Sequence, residues 1–428
     1  MKDVKDIVAC VIDHGQHVTI ARAIGRQVKK CYYWTPMERA WNLIQESVVG
    51  DGFPEIIRIK PTQSFWDIKS ECDLFVCPDI GFAGEQRELI RQGYPVWGAR
   101  GSDTLESNRG KFLKTLERLK MKVPEYETIK GLTNLRLHLK DKEDKYIKMS
   151  DWRGNFETIH WVGQSETGDD LDWYATEFGP LKEMVVFYVF DPIEAEIEDA
   201  IDAYCIDGQY PKIVLHGMEC KDKSHLGRMT PWDELPEETR CVNEDFAPAL
   251  SNYRGFFGTE VRITPNKESY FIDATCRAGS PPHQMMVELF SNLADIMWHG
   301  ANGICIDPIA SEEFAVQAMF RIDRSEWRRF KLSPAIEKHV HIGFTCVVDG
   351  MVCMTPDLHK FGEIGWLCAT GSTIEYAIHN LQEYAKEMPS GVEIRIDSLV
   401  DLLKEAEAAD EAGMPFADEV PEPSTIVE

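Results

Sequence analysis

Residues 255–282 read GFFGTEVRITPNKESYFIDATCRAGSPP, and this stretch decides the fold. Two alternating runs flank Thr264-Pro265-Asn266-Lys267, a composition that turns a chain. The segment therefore predicts a hairpin. Gly258, Glu260 and Arg262 alternate on its first strand, and Asp273, Thr275 and Arg277 on its second. Side chains repeat every two residues along a strand, so each trio shares a face. Pairing the strands brings two carboxylates, a hydroxyl and a guanidinium together. Hard oxygen ligands beside a guanidinium suit Mg²⁺ bridging a nucleotide polyphosphate. The same alternation also fits a plain solvent-facing hairpin, and the residues alone leave both readings open.

Toward the N-terminus, residues 1–105 alternate short apolar runs with helical spacing. Residues 6–12, 30–34, 73–77 and 95–97 read as strands, and 17–29 and 81–93 as helices. Buried runs separated by helices predict a parallel sheet covered on both faces. The loop after the first run, Asp13-His14-Gly15, lacks GxGxxG, so no Rossmann dinucleotide site is expected. From 104 to about 300 the pattern is α+β. A helix is predicted over 105–121, ended by Val123-Pro124. Strands are predicted at 145–149, 184–190 and 203–207. Residues 303–397 mix strands with a helix at 373–386. The end, 401–428, is acidic with Pro421 and Pro423, and reads as one fraying helix followed by disorder.

Composition narrows the function classes. The chain has 428 residues, 43% of them hydrophobic and 10% aromatic, enough for several cores. Lys and Arg number 46 against 72 Asp and Glu, a net charge of −26, which argues against direct binding to a nucleic-acid backbone. No apolar run reaches the roughly 20 residues of a membrane span. The start, MKDVKDIVACVIDHG, has no signal-peptide layout. Twelve cysteines are scattered without CxxC or zinc spacing, and Cys10, Cys77, Cys205 and Cys353 fall in apolar runs, as buried reduced thiols do. A cytoplasmic location is expected.

The hairpin resembles the metal-binding end of the ATP-grasp fold, most of all in its phosphoribosylamine–glycine ligase branch. There a strand with Gly-Thr-x-Glu precedes one with Glu-x-Asn-x-Arg-x-Gly. Here Gly258-Thr259-Glu260 stands at the first carboxylate and Asp273 at the second. Thr275 replaces Asn, while Arg277 and Gly279 match. Residues 362–377, GEIGWLCATGSTIEYA, are similar to the family's Gly-Arg-Val-Leu-Gly-Val-Thr-Ala-x-Gly-x-Thr-x-x-Glu-Ala, and Arg395-Ile396-Asp397 to its closing Arg-x-Asp. Gln92-Gly93-Tyr94-Pro95-Val96-Trp97-Gly98 looks like a turn of its first domain. The resemblance spans about residues 5–400. It implies a multidomain α/β and α+β chain: an N-terminal parallel α/β domain at 1–104, an ATP-grasp nucleotide-binding domain at 105–300, a C-terminal α+β domain at 301–400, and an acidic tail at 401–428.

The resemblance also implies a site. Glu260, Asp273 and Thr275 would bind Mg²⁺ (or Mn²⁺). Lys111, read from Leu105-Glu106-x-x-x-x-Lys111-Phe112-x-Lys114, and Lys148, in Tyr146-Ile147-Lys148, would bracket the ATP phosphates and offset charge during phosphoryl transfer. Solvated lysines are the ordinary alternative. A flap is expected near Arg153 and Gly154, which carries a single glycine. Adenine would lie against the strand at 185–190. Among Glu194, Glu196 and Glu198, Glu196 would hold the ribose. Lys221 would touch phosphate, Lys223 the acyl phosphate or substrate, and Arg277 would steady the acyl phosphate oxygens.

The departures from the family cluster. After the first strand it has Gly-Gly-Arg-Glu-His, and this chain His14-Gly15-Gln16-His17-Val18. Its Pro-Asn-Thr-Gly-Gly-Met-Gly loop is replaced by Ser224-His225-Leu226-Gly227-Arg228-Met229, and its Gly-Asp-Pro-Glu by Gly279-Ser280-Pro281-Pro282. All three hold acceptor substrates in the family. The expectation is an ADP-forming carboxylate–amine ligase that activates an amino acid such as glycine and joins it to an amine on a nucleotide-like acceptor. A genuine phosphoribosylamine–glycine ligase of purine synthesis and a catalytically weak nucleotide-binding interaction protein are the alternatives. The expected partners are a small carboxylate and an amine, with no membrane, in a monomer or homodimer. Two further groups read as structural. His339 and His341 alternate on a strand with no third ligand nearby in sequence. Arg321, Arg324, Arg328 and Arg329 fit a helix face paired with Asp323 and Glu326.

Overall fold

The computed structural model describes residues 1–36, 49–60, 62–150, 158–194, 197–221, 223–322, 329–354 and 365–422. Strands β1 (Val8–Ile12), β2 (Lys30–Trp34), β3 (Ile57–Arg58), β4 (Leu74–Val76) and β5 (Val96–Trp97) open the chain. They pair in parallel in the order β3-β2-β1-β4-β5. Ala9, Cys10, Val11 and Ile12 are all fully buried, as a strand covered on both faces requires. Helices Val18–Gly25 and Ala83–Arg91 lie within the stretches read as helical. β3 has no counterpart in the sequence reading, because two residues carry no periodicity.

A second sheet joins β6 (Tyr126–Lys130), β7 (Lys145–Met149), β8 (Thr158–Trp161) and β9 (Val186–Phe190) in the antiparallel order β6-β9-β7-β8. Leu135 and Leu139 from one helix and Leu171, Tyr174 and Phe178 from another close its core. The largest sheet holds β10 (Ile197–Ile206), β11 (Ile213–Cys220), β12 (Ser224–Pro231), β13 (Arg254–Ile263), β14 (Ser269–Thr275), β15 (Phe314–Ile322), β17 (Val340–Ile342), β20 (Gly365–Gly371) and β21 (Val392–Ile394). Its order is β14-β13-β10-β11-β12-β15-β20-β17, with β21 also on β15. A small sheet of β16 (Arg329–Phe330), β18 (Thr345–Val348) and β19 (Met351–Met354) completes the set. The layout is the expected one: a parallel α/β lobe followed by antiparallel sheets.

Four local expectations are corrected. The helix over 105–121 is two helices, Thr104–Ser107 and Arg109–Leu119. Asn108 between them is extended and caps the second, its side chain accepting from the Lys111 N–H at 2.9 Å. The second hairpin strand ends at Thr275, so Arg277 lies just past it. Arg321 and Arg329 stand on strands β15 and β16 rather than a helix, while Arg324 and Arg328 lie outside the described residues. The acidic C-terminal stretch is not a frayed tail up to residue 422. Helix Leu399–Glu411 buries Leu399, Leu402, Leu403, Ala406 and Ala409, an i, i+3, i+4 face that its acidic residues mask in composition. Phe416 beyond it is fully buried. Among the described residues, no helix is long and apolar enough to cross a membrane.

Candidate nucleotide and metal site

The four-stranded sheet and the β10–β13–β14 end of the large sheet face each other across a cleft of about 760 Å³. That is within the range of sites for small-molecule and cofactor ligands. Tyr146 and Lys148 on β7 and Phe190 on β9 line one wall. Glu260 and Arg262 on β13 and Asp273 and Thr275 on β14 line the other. Arg262 joins the two, pairing with Glu198 at 2.5 Å and lying 5.7 Å from the Tyr146 ring centroid. The carboxylates Glu198 and Glu219 also border the space, and Glu405 reaches it from the C-terminal helix.

The hairpin pairs Glu260 directly with Asp273, and Gly258 with Thr275. A β-bulge makes this possible. Arg262 pairs with Tyr270 and Val261 with Phe271, so a regular ladder would set Ile272 opposite Glu260. The extra residue shifts the register and brings Asp273 there instead. Gly258 leaves room for Asp202 beneath, because a Cβ there would lie 2.7 Å from its carboxylate oxygen and displace that side chain.

Two cations hold Asp273. Lys148 Nζ donates to one carboxylate oxygen and Arg109 Nη2 to the other. Arg109 is itself fixed: Nη1 donates to the Ile272 carbonyl at 2.8 Å, and its backbone N–H to Ser150 Oγ at 3.0 Å. Burial opposes ionisation of Asp273, but Arg109 and Lys148 outweigh it and hold the carboxyl well below the usual range. Glu260 goes the other way. Burial first, then the charges of Asp273, Glu198 and Glu219, push it up to about 8. Asp202 beneath is also raised, by burial and by Glu260. Hard oxygen donors among which burial and neighbouring carboxylates press Glu260 toward its protonated form fit a divalent cation. Glu260, Asp273 and Thr275 are the residues that would hold it.

Arg277 also lines the cleft, and its Nε donates to Glu106 at 2.9 Å. Glu106 is buried and accepts the Cys276 N–H at 2.6 Å, so it locks the segment just beyond β14. Lys221 lines the cleft from the turn between β11 and β12. Lys223, on the same turn, is not among the lining residues. Neither is Lys111, which is exposed and donates to Thr104 Oγ1. The helix break turns Lys111 away and puts Arg109 at the cleft. Glu196 and the segment with Arg153 and Gly154 lie outside the described residues; Glu194 is exposed, and Glu198 is taken by Arg262.

Sequence reasoning missed Arg109, Glu106 and Glu405. The first had a signal. Leu105-Glu106-Ser107-Asn108-Arg109 matches Leu-Glu-x-Ser-Lys without a gap, with Asn for Ser and Arg for Lys. Glu106 stands in the same match, but its contacts with Cys276 and Arg277 lie far along the chain, and Glu405 carried no signal.

No family model and no curated protein matches the chain. Solved structures do share its architecture. Phosphoribosylamine–glycine ligase from Thermotoga maritima superposes with a TM-score of 0.68 at 14% identity, covering 91% of this chain and 100% of its own. Biotin carboxylase from Campylobacter jejuni, solved as a β-γ-ATP complex, gives 0.64 at 14% over 96% and 98%. L-amino acid ligase from Bacillus licheniformis gives 0.60 at 14% over 91% and 99%. At such identities the likeness carries the fold and not the substrate.

Proposed function

We propose that this chain, which has the ATP-grasp fold, is an ADP-forming carboxylate–amine ligase. The observation that carries the reading is the register-matched pair of Glu260 and Asp273, with Lys148 and Arg109 on Asp273 at the mouth of a nucleotide-sized cleft. The carboxylate substrate takes the γ-phosphoryl group: an O–P bond forms, the bond to ADP breaks, and an acyl phosphate results. An amine then attacks the acyl carbon, a C–N bond forms, and phosphate leaves. The chain needs no nucleophile of its own for either step. Its work is positioning and charge stabilisation. Lys148 and Arg109 face the phosphates, and Glu106 aims Arg277 at the acyl phosphate oxygens. Lys221 sits at the rim to meet the incoming anion. A divalent cation, when bound, supplies neutralisation of the phosphate charge.

The activated carboxylate is assigned to an amino acid such as glycine, and the amine to a nucleotide-like acceptor. The changed loops at the acceptor end support an acceptor other than phosphoribosylamine. The test is an ADP-release screen of amino acids against amines, with mass analysis of the products. Amino-acid-dependent ADP release with an amide product supports the reading. Mg²⁺-dependent ATP binding without ADP release from any pair leaves a nucleotide-binding protein and overturns it.

A further inference from the structure

Away from the cleft, the same face of the large sheet carries a row of polar residues toward its far edge. Glu219 pairs with His225, His225 with Gln317, and Gln317 with Cys368. One row over, Trp366 pairs with His341. Helix His283–Leu289 covers this end and sets Glu288 upon it. Glu288 accepts from His341 Nε2 at 2.7 Å on one oxygen and from His339 Nδ1 at 2.6 Å on the other. The third ligand that the sequence does not show beside the two histidines is thus supplied from elsewhere in the chain. We propose that Glu288, His341 and Cys368 bind a zinc-class divalent ion, separate from the carboxylates of the cleft.

The ligand atoms of the three residues lie within 4.8 Å of one another. Tetrahedral ligands of zinc stand about 3.3–3.8 Å apart, given bond lengths of about 2.0–2.3 Å. Opening the 2.7 Å histidine–carboxylate contact and closing in the thiol is a side-chain adjustment. The three come from a helix and two strands, β17 and β20, which fix them independently. All are nearly or fully buried: Glu288 9%, His341 4% and Cys368 0% exposed. An ion pair accounts for the two histidines on one carboxylate. It does not involve the buried Cys368 thiol, which donates to Gln317 Oε1 at 3.5 Å, a contact the metal would replace, and among the described residues His341 Nδ1 is buried without a partner. His339 serves as the outer partner that orients the ligating carboxylate. His341 also lines a neighbouring cavity of about 50 Å³, and water would complete the four ligands. Thiolate and imidazole select zinc over magnesium, while the all-oxygen cleft does the reverse. Binding exchanges the Cys368 thiol proton for the metal and releases it to solvent.

Cobalt(II) tests the site in the full-length protein, stripped with chelator and then held in excess Mg²⁺. A thiolate-to-cobalt charge-transfer band should grow to stoichiometry and vanish when zinc is added. Cys368→Ser should abolish the band, and His341→Gln should weaken cobalt binding. His339→Gln should keep the band with affinity lower by ~10–100-fold. The Mg²⁺-dependent thermal shift with ATP, read on each variant, reports folding. No band in the wild-type protein overturns the proposal. So does an unchanged band in folded Cys368→Ser, since another of the twelve cysteines would then be the ligand.

Discussion

Burial among Asp273, Glu198 and Glu219 leaves Glu260 with a carboxyl pushed up to about 8, against an ordinary value near 4.5. The group is walled by protein but opens on the cleft, so water tempers the effect without reversing it. The sign of the pH dependence follows. Between about pH 4.5 and 8 the folded state holds a proton that the unfolded chain has released, so stability falls as pH rises through that window. Asp273 has the opposite sign: its lowered value contributes stability at neutral pH that is lost on acidification. Glu260→Gln should therefore flatten the decline in melting temperature from pH 5 to 8 and abolish ADP release with the fold intact. Excess Mg²⁺ should flatten the wild-type curve in the same way. A wild-type slope unaffected by either change would remove Glu260 from the metal site.

The elements that place these residues were legible to different degrees, for physical reasons. Alternation in 255–282 gave both strands, because a half-buried strand writes its period into the sequence. It did not give the bulge at Ile272, a single inserted residue with no composition of its own. The split of the helix at Asn108 was written in a cap residue followed by Gly110, yet the longer apolar spacing hid it. That split decides which cation faces the cleft. Gly110 reinforces it, since a Cβ there would lie 2.3 Å from the Tyr188 hydroxyl on β9 and force that side chain to move. Arg109→Ala should cut ADP release by at least 10²-fold, in line with the removal of one preorganised charge. Lys111→Ala should leave turnover within about twofold, as for an exposed side chain away from the cleft. Equal losses in the two variants, measured by steady-state kinetics with folding checked by circular dichroism, would return the phosphate contact to Lys111.

At the scale of the whole molecule, the parallel lobe and the order of sheets were readable because buried runs and helices alternate over 1–105. The C-terminal helix was read only as a fraying one, because its five acidic residues mask the five-residue apolar face that packs on β11 and β12. The segments 14–18 and 279–282, which the family resemblance assigns to the acceptor, depart from its motifs. Asp13 is fully buried and accepts from the Gly15 and His17 N–H groups and the Tyr33 hydroxyl. His17 bridges Asp13 at 3.1 Å and the Ala278 carbonyl at 3.2 Å, and His14 stacks on Phe82. Asp13 and His17 clamp the first lobe to the segment beyond β14, and their polar groups are spent on these bonds. A site built for specific polar contacts loses a substrate by ~10⁴ when those contacts are gone. Lys148, Glu260, Asp273 and Arg277 line the cleft wall proposed for ATP. The expected outcome is a Mg²⁺-dependent rise in melting temperature with ATP, as for any ligand that binds only the folded state, alongside little or no product from phosphoribosylamine plus glycine. Efficient formation of glycinamide ribonucleotide, or rescue of a purine-requiring strain lacking its own ligase, would show that the clamped loops still admit that acceptor.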